Sequence, residues 1–85
     1  METRIALVGI IVEDHARTEE INRILHEYSG WIIGRMGIPY RSRGIAIISV
    51  VLDAPQEAIS SLSGKLGMLN GVSAKTVYSK TTIQQ

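Results

Sequence analysis

Charged side chains that could recognise a ligand occur in two short stretches of this 85-residue chain. The first stretch, EDHAR, occupies residues 13–17, and the second, residues 35–43, carries three arginines and a tyrosine. Arginine forms bidentate hydrogen bonds with carboxylate and phosphate groups, and tyrosine adds an amphipathic phenol. The sequence therefore predicts an effector-binding site for an anionic ligand. Its candidate residues are Glu13, Asp14, His15, Arg17, Arg35, Tyr40, Arg41 and Arg43.

Within this set, Arg35, Tyr40 and Arg41 are the preferred ligand contacts. The arginine cluster also has a second explanation, because charged residues around a hairpin protect an exposed sheet edge from unwanted pairing. Ligand binding and edge protection both remain open at this point.

The residue pattern does not support metal binding or catalysis. Glu13, Asp14 and His15 are consecutive rather than spaced as a ligand set, and the chain has no cysteine. Solvated loop charge explains these three residues, so we expect no metal and no cofactor. No nucleophile–base pair, carboxylate dyad or glycine-rich phosphate loop occurs at a diagnostic spacing. We therefore expect that the protein is not an enzyme.

The composition predicts no general attraction to nucleic acids or membranes. Nine lysines and arginines oppose eight aspartates and glutamates, which leaves a net charge of +1. Such a chain lacks the positive field that nucleic-acid binding uses, so we do not expect direct binding to nucleic acid. No apolar run reaches the roughly 18 residues of a membrane-spanning helix. The absence of cysteine excludes disulfides and favours a reducing cytoplasm as the location.

The stretch that organises the fold is residues 44–53, GIAIISVVLD, which predicts a buried strand rich in Ile and Val. Strand side chains alternate between two faces, and both faces are apolar here. One face carries Ile45, Ile47 and Val51, and the other carries Ala46, Ile48, Val50 and Leu52. Residues 4–12 predict a second strand of the same kind.

Two further strands are predicted over residues 31–38 and 72–80, where apolar and polar residues alternate. In the first of these, Ile32, Met36 and Ile38 share one face, and Trp31, Ile33 and Arg35 share the other. Residues 40–44 predict the tip of a hairpin that leads into the organising strand.

Two amphipathic helices separate these strands. The first begins with Thr18 as a predicted N-cap and ends at Gly30, where a left-handed C-cap is expected. The second follows Pro55, with the Asp53 carboxylate accepting from its free amides, and ends at Gly67. The apolar stripes are Ile21, Ile24, Leu25 and Tyr28 in the first helix and Ile59, Leu62, Leu66 and Leu69 in the second.

The element order β-α-β-β-α-β predicts an α+β ferredoxin-like sandwich, a four-stranded antiparallel sheet with two helices on one face. We expect one domain over residues 1–80 and a polar tail over residues 81–85. The two fully apolar strands fall at the centre of such a sheet. The helix-free face, with its Ile, Val and Trp31 side chains, would be bare in a monomer, so we predict a homo-oligomer, a dimer or a tetramer.

The segments RIALVGIIVED (residues 4–14), YSGWIIGRMGIPYRSRGIAIISVVLDAP (28–55) and LSGKLGMLNGVSAKTVYSK (62–80) together resemble the small proteins named as regulators of the iron-only hydrogenase system. Those proteins are similar in fold to ACT domains and to the C-terminal effector domain of the nickel-responsive repressor. The resemblance implies an ACT-like sandwich that assembles as dimers or tetramers, with a role in regulating the hydrogenase. Nickel sensing is not implied, because the repressor's site uses a cysteine and several histidines.

Two functions are compatible with this resemblance. The first is a regulatory module that binds a small effector or a hydrogenase-system protein at its loops. The alternative is a structural assembly factor that binds no ligand and docks a hydrogenase maturation protein. Nucleic-acid binding by the arginine hairpin is a third possibility, and it would require steep salt dependence.

Overall fold

The computed structural model describes residues 2–84 and the side-chain surroundings of residues 2–80. Two helices and four strands follow one another in the predicted order. They are β1 (Glu2–Val12), α1 (Thr18–Glu27), β2 (Ile32–Tyr40), β3 (Ile45–Ala54), α2 (Gln56–Gly67) and β4 (Val72–Gln84). Short 3₁₀ turns at His15–Arg17, Ser29–Trp31 and Arg41–Arg43 connect the first four of these elements.

The four strands form one sheet in the order β2-β3-β1-β4, and every neighbouring pair is antiparallel. The two strands predicted to be buried, β1 and β3, occupy the centre. This arrangement confirms the predicted α+β ferredoxin-like sandwich. The sequence explains why β1 and β3 are central: only these two strands are apolar on both faces, so only they can be covered by protein on both sides.

The hydrophobic core lies between the sheet and the two helices. Alternate residues of the central strands point into it, so that Val8 and Val50 lie opposite each other and are both fully buried. The largest fully buried side chains are Ile10, Ile21, Leu25, Leu52, Ile59, Leu62, Leu66, Val8, Val12 and Val50. Each such aliphatic side chain contributes about 1.5–3 kcal/mol through its removal from water. The predicted helical stripes therefore supply the core as expected.

Polar contacts link the C-terminal end of α1 to α2. The Tyr28 hydroxyl and Ser61 Oγ lie 2.7 Å apart and share a hydrogen bond. Lys65 Nζ donates to Glu27 Oε1 at 2.9 Å and sits 5.2 Å from the centroid of the Tyr28 ring. The hydrogen bond to Glu27 raises the pKa of Lys65 above its ordinary value. These contacts join the C-terminal end of α1 to α2, and the buried core supplies most of the packing between them.

The sheet surface that faces away from the helices, here called the open face, is apolar. Leu7 lies on it between Val51 of β3 and Val77 of β4. The apolar residues of the open face are Ile5, Leu7, Ile11, Met36, Ile38, Tyr40, Ile45, Ile47, Val51 and Val77. Seven of them are at least 36% exposed, up to 66% for Val77. The predicted bare apolar face is therefore present, with one correction.

That correction concerns Trp31, which packs partly buried against the core instead of lying on the open face. Trp31 belongs to a 3₁₀ turn before β2, and the strand pairing then shifts between Ile32 and Gly34. Ile32 lies opposite Leu52 and faces the helices, whereas Gly34 lies opposite Val51 on the open face. A bulge adds one residue and changes which face the following side chains occupy. The prediction that Ile32 shares a face with Met36 and Ile38 is wrong for this reason.

Three predicted caps also differ from the structure. Thr18 lies inside α1, and the preceding turn begins instead with Asp14, whose Oδ1 accepts from the Ala16 amide at 3.0 Å. Gly30 has no positive φ, because the chain enters the 3₁₀ turn after α1 ends at Glu27. Asp53 does not cap α2, since it lies in β3 opposite Ile5 with its side chain on the open face.

The last strand continues past the predicted end at residue 80. β4 pairs with β1 as far as Gln84 opposite Glu2, across an irregularity between the pairs that involve Arg4 and Ala6. The predicted boundary between a domain of residues 1–80 and a tail falls inside this strand, and Gln85 lies outside the described residues. Neither helix between residues 2 and 84 is long and apolar enough to cross a bilayer.

Candidate effector-binding site

Most of the predicted site residues lie at one end of the sheet. Val12, the last residue of β1, pairs with Ala46 near the start of β3 and with Val72 at the start of β4. Tyr40, the last residue of β2, pairs with Ile45. Residues 13–17, 41–44 and 70–71 therefore lie beyond the strand ends on the same side of the sheet, here called the loop end.

The first loop of the loop end, residues 13–17, is held by backbone and side-chain bonds. The Glu13 amide donates to the Gly71 carbonyl at 2.7 Å, which ties the loop to the turn before β4. Arg17 Nη1 donates to Glu20 Oε1, and Arg17 Nε lies 3.7 Å from Asp14 Oδ2. The Arg17 charge is thus already matched by two carboxylates, so it is a weak candidate for holding an anion.

The second loop, Arg41–Arg43, presents free positive charge. It forms a 3₁₀ turn that Gly44 closes in the left-handed conformation at φ +66°, with the Gly44 amide donating to the Arg41 carbonyl at 3.1 Å. The side chains of Arg41 and Arg43 are exposed and make no hydrogen bond or ion pair with any residue from 2 to 80. Both guanidinium groups are available to a carboxylate or phosphate group.

Arg35 is separated from this end of the molecule. It lies opposite Val50, on the helix side of the sheet, where Nη2 donates to Asn22 Oδ1 at 3.1 Å. Tyr40 occupies the open face, five residues and about 17 Å further along the strand. A single chain therefore does not bring Arg35 and Tyr40 together, although they were predicted to contact one ligand.

Arg35 instead borders a hollow of about 280 Å³ between α1 and the edge of the sheet. The other lining residues are Asn22, Leu25, His26, Ser29 and Ile32. The β2 bulge creates this environment, because it turns Arg35 toward the helices. Gly34, at the bulge, is its sequence signal, because a glycine inside a strand often marks a bulge.

The loop end offers no cluster of metal ligands. His15 sits in the turn after β1, and among residues 2–84 no three His, Asp or Glu side chains come together in a way that could hold an ion. The carboxylate of Asp14 is engaged by Ala16 and Arg17. The arginines of this end offer hydrogen bonding and charge pairing to a carboxylate or phosphate group.

Two other hollows were not anticipated from the sequence. One, of about 610 Å³, lies beside the start of α2, where Arg4 donates to Gln56 Oε1 at 2.7 Å and packs 4.2 Å from the Tyr78 ring centroid. The other, of about 270 Å³, lies on the open face, where Gly9 leaves space between Ile11 and Lys75. The only sequence signal for the second hollow is a glycine inside an otherwise apolar strand.

The fold and the loop end define the class of the protein: a ferredoxin-like α+β domain with a bare apolar sheet face and free arginines in one loop. Residues 4–76 match the TM1266-like family, which is described as a regulator of the iron-only hydrogenase system. The chain belongs to this family. A comparison with curated proteins found no significant match.

Solved structures agree with this assignment. Protein TM1266 from Thermotoga maritima is 38% identical, with a TM-score of 0.88 over 92% of this chain and 99% of that chain. The C-terminal domain of MgtC from Mycobacterium tuberculosis is 13% identical, with a TM-score of 0.71 over 92% of this chain and 89% of that one. CPII from Thiomonas intermedia K12, a nitrogen regulatory PII-like protein, is 13% identical, with a TM-score of 0.59 over 99% and 98%. The last two likenesses concern the fold alone.

Proposed function

We propose that this protein is a cytoplasmic, homo-oligomeric regulatory module of the iron-only hydrogenase system that binds a small effector or a partner protein and catalyses no reaction. Membership of the TM1266-like family supports the regulatory role. The observation that carries the proposal is the open face, where ten apolar side chains lie together with no helix to cover them.

The size of the open face supports coverage by a second copy. Four strands about 4.8 Å apart, each contributing about nine residues of about 3.3 Å, give it a flat area of about 570 Å². The relief of the side chains makes its accessible area larger still. The largest apolar patch on a typical monomer is about 300–600 Å², and each partner in a stable dimer buries about 800 Å². The open face thus already reaches the upper end of the range for a monomer before the relief of its side chains is counted, and coverage by a second copy would remove it from water.

The effector would bind at the loop end, beside this interface. Tyr40 lies on the open face at the end of β2, and Arg41 and Arg43 follow it directly. Covering the open face leaves these residues at the rim, where two copies can contribute to one site. Free guanidinium groups favour an anionic effector with carboxylate or phosphate groups. Glu13 and His15 of the first loop lie at the same end and would contribute to its specificity.

A thermal-shift screen tests the effector proposal. Amino acids, nucleotides and inorganic phosphate are added to the wild-type protein and to an Arg41→Ala/Arg43→Ala variant. A ligand at a hundredfold excess over its Kd stabilises the folded state by about 2.7 kcal/mol, which raises the Tm by roughly 10–20 °C for a domain of this size. We expect such a rise for the wild type and its loss in the double variant.

Arg23→Ala provides the matched control, because Arg23 is an exposed arginine on α1 away from the loop end. This variant should respond to the ligand like the wild type. An absent response to every class of compound, or an equal response in the double variant, would contradict an effector site at Arg41 and Arg43.

The second candidate function is an assembly factor that docks a hydrogenase maturation protein and binds no small molecule. It is favoured by the three hollows found among the described residues, all of which are open to solvent. Affinity capture from the native host distinguishes the two functions. Recovery of a maturation protein, together with a Tm that no compound raises, would favour the assembly factor.

A further inference from the structure

The open face carries two charged side chains among its apolar residues. Asp53 lies on β3 opposite Ile5, and Lys75 lies on β4 opposite Gly9. Among residues 2–80 the strand pairing places no other charged residue on this face, and Lys80 lies in the irregularity of β4, where the pairing assigns no face. The other polar residues of the open face include Ser49 and Ser73. A partner that covers the open face must therefore accommodate one negative and one positive charge.

Neither charge has a partner within the described chain. Asp53 Oδ1 is inaccessible to solvent and accepts no hydrogen bond. The Lys75 ammonium is exposed and makes no ion pair or hydrogen bond with any residue from 2 to 80. Burying an unpaired charge is costly, whereas a paired and hydrogen-bonded charge is tolerated.

The two groups are too far apart to pair within one chain. Lys75 lies two strands away from Asp53 and four residues along the strand direction, which gives a separation of about 16 Å. Side chains in a sheet stand roughly perpendicular to it, so the two groups do not lean toward each other. An ion pair requires a distance of about 4 Å or less. Lys75 and Asp53 of one chain therefore cannot pair with each other, whereas a second copy can bring a cation to Asp53 and an anion to Lys75.

Leu7 marks the centre between the two charges. It lies on β1, the strand between β3 and β4, and its row with Val51 and Val77 is halfway between the rows of Asp53 and Lys75. Consider a twofold axis that lies in the plane of the interface, passes over Leu7 and runs perpendicular to the line from Asp53 to Lys75. Rotation about this axis places Asp53 of the second copy over Lys75 of the first, and Lys75 of the second copy over Asp53 of the first. The same axis brings the apolar centre of one open face onto that of the other.

We propose that two copies of this chain pack open face to open face about a twofold axis at Leu7, with Asp53 of each copy paired to the partner's Lys75. This inference rests on the proposed homo-oligomer and specifies how it forms. A twofold interface is self-complementary, so one contact generates its symmetric equivalent and two identical ion pairs result. Sheets packed face to face lie about 10 Å apart, a gap that a lysine and an aspartate reaching from opposite sides can close.

A charge exchange tests the pairing. Asp53→Lys, Lys75→Asp and the double variant Asp53→Lys/Lys75→Asp are compared with the wild type by sedimentation equilibrium. Each single variant juxtaposes like charges twice per dimer, and we expect its dimer Kd to rise by at least about tenfold, since such juxtaposition opposes association by several kcal/mol. The double variant exchanges the two charges without changing the net charge and should recover a Kd within about threefold of the wild type.

The control variant Arg23→Glu reverses a charge on α1 and should leave the Kd unchanged. Folding of every variant is checked by far-UV circular dichroism. If a reversal prevents folding, the milder variants Asp53→Asn and Lys75→Met replace it, and their double variant should weaken the dimer less than the sum of the two single effects. Additive effects, or single variants that associate like the wild type, would overturn the pairing and leave the homo-oligomer intact. A wild-type monomer would overturn the homo-oligomer as well.

Discussion

Replacing Gly71 by alanine should destabilise the protein more than replacing Gly44 by alanine, although both glycines have a left-handed backbone. Their φ angles are +77° and +66°. A Cβ atom on Gly44 would have no heavy atom within 4 Å, whereas one on Gly71 would lie 2.7 Å from the Cβ atom of Asp14. Comparing the two alanine variants therefore separates the cost of the left-handed backbone from the cost of the steric contact with Asp14.

The expected magnitudes follow from these neighbours. An alanine in the left-handed conformation costs about 1–2 kcal/mol, and this cost applies to both variants. Gly71→Ala must in addition displace the Asp14 loop, an overpacking cost of about 1–3 kcal/mol. We expect the free energy of unfolding to fall by about 1–2 kcal/mol for Gly44→Ala and by about 2–5 kcal/mol for Gly71→Ala.

Urea denaturation at a fixed protein concentration measures both values, because the stability of an oligomer depends on concentration. Asp14→Gly removes the Cβ atom that Gly71→Ala would meet. In the Asp14→Gly background, Gly71→Ala should therefore cost no more than Gly44→Ala does. An unchanged cost in that background would refute the steric explanation, as would equal effects of the two alanine substitutions in the wild type.

Burial and hydrogen bonding give further expectations, all measured by the same urea denaturation. Leu62→Ala removes a fully buried side chain and should lower the free energy of unfolding by about 2–5 kcal/mol, whereas Met68→Ala, at a position 85% exposed, should change it by less than about 0.5 kcal/mol. Equal effects at these two positions would contradict the core as described. Tyr28→Phe removes the hydrogen bond to Ser61 and should cost about 1 kcal/mol. Ser61→Ala should then add little in the Tyr28→Phe background, and full additivity would argue against that bond.

The architecture could be predicted from the sequence because its signals are local and repeated. The two-sided apolar pattern of β1 and β3 places them at the centre of the sheet. The stripe that includes Ile59, Leu62 and Leu66 identifies the buried side of α2. Such patterns survive small errors at the ends of elements, since many residues contribute to each of them.

The positions of single side chains were less predictable. One extra residue in β2 moves Arg35 to the helix side, and the 3₁₀ turn before β2 brings Trp31 into contact with the core. Gly34 permits such a bulge, but a glycine alone does not determine which faces the neighbouring side chains take. Thr18 and Asp53 are both good capping residues by type. Strand pairing keeps Asp53 in β3, and the turn at Asp14 starts α1 in place of a threonine cap. The positions of these side chains therefore depend on tertiary contacts more than on the local conformational preference of each residue type.

The placement of the candidate residues could be predicted in part, while their role in binding an effector stays a prediction. Residues 13–17 and 41–43 lie at the same end of the sheet because the register of β1, β2 and β3 ends there together. Arg17 is matched by carboxylates of its own helix region, and Arg35 lies about 17 Å from Tyr40 along the strand. Neither outcome follows from residue type or spacing, since both depend on which side chains the folded chain places beside the arginines.

Sedimentation equilibrium over a range of micromolar concentrations tests most directly whether the open face meets a second copy. The wild type is compared with Leu7→Lys, which places a charge at the centre of the open face, and with Met68→Lys, which places the same charge at an exposed apolar position outside it. We expect the wild type and Met68→Lys to sediment with at least twice the mass of the chain and Leu7→Lys to sediment as a folded monomer. A wild-type protein that stays monomeric and folded throughout, or a Leu7→Lys variant that associates like the wild type, would contradict the account.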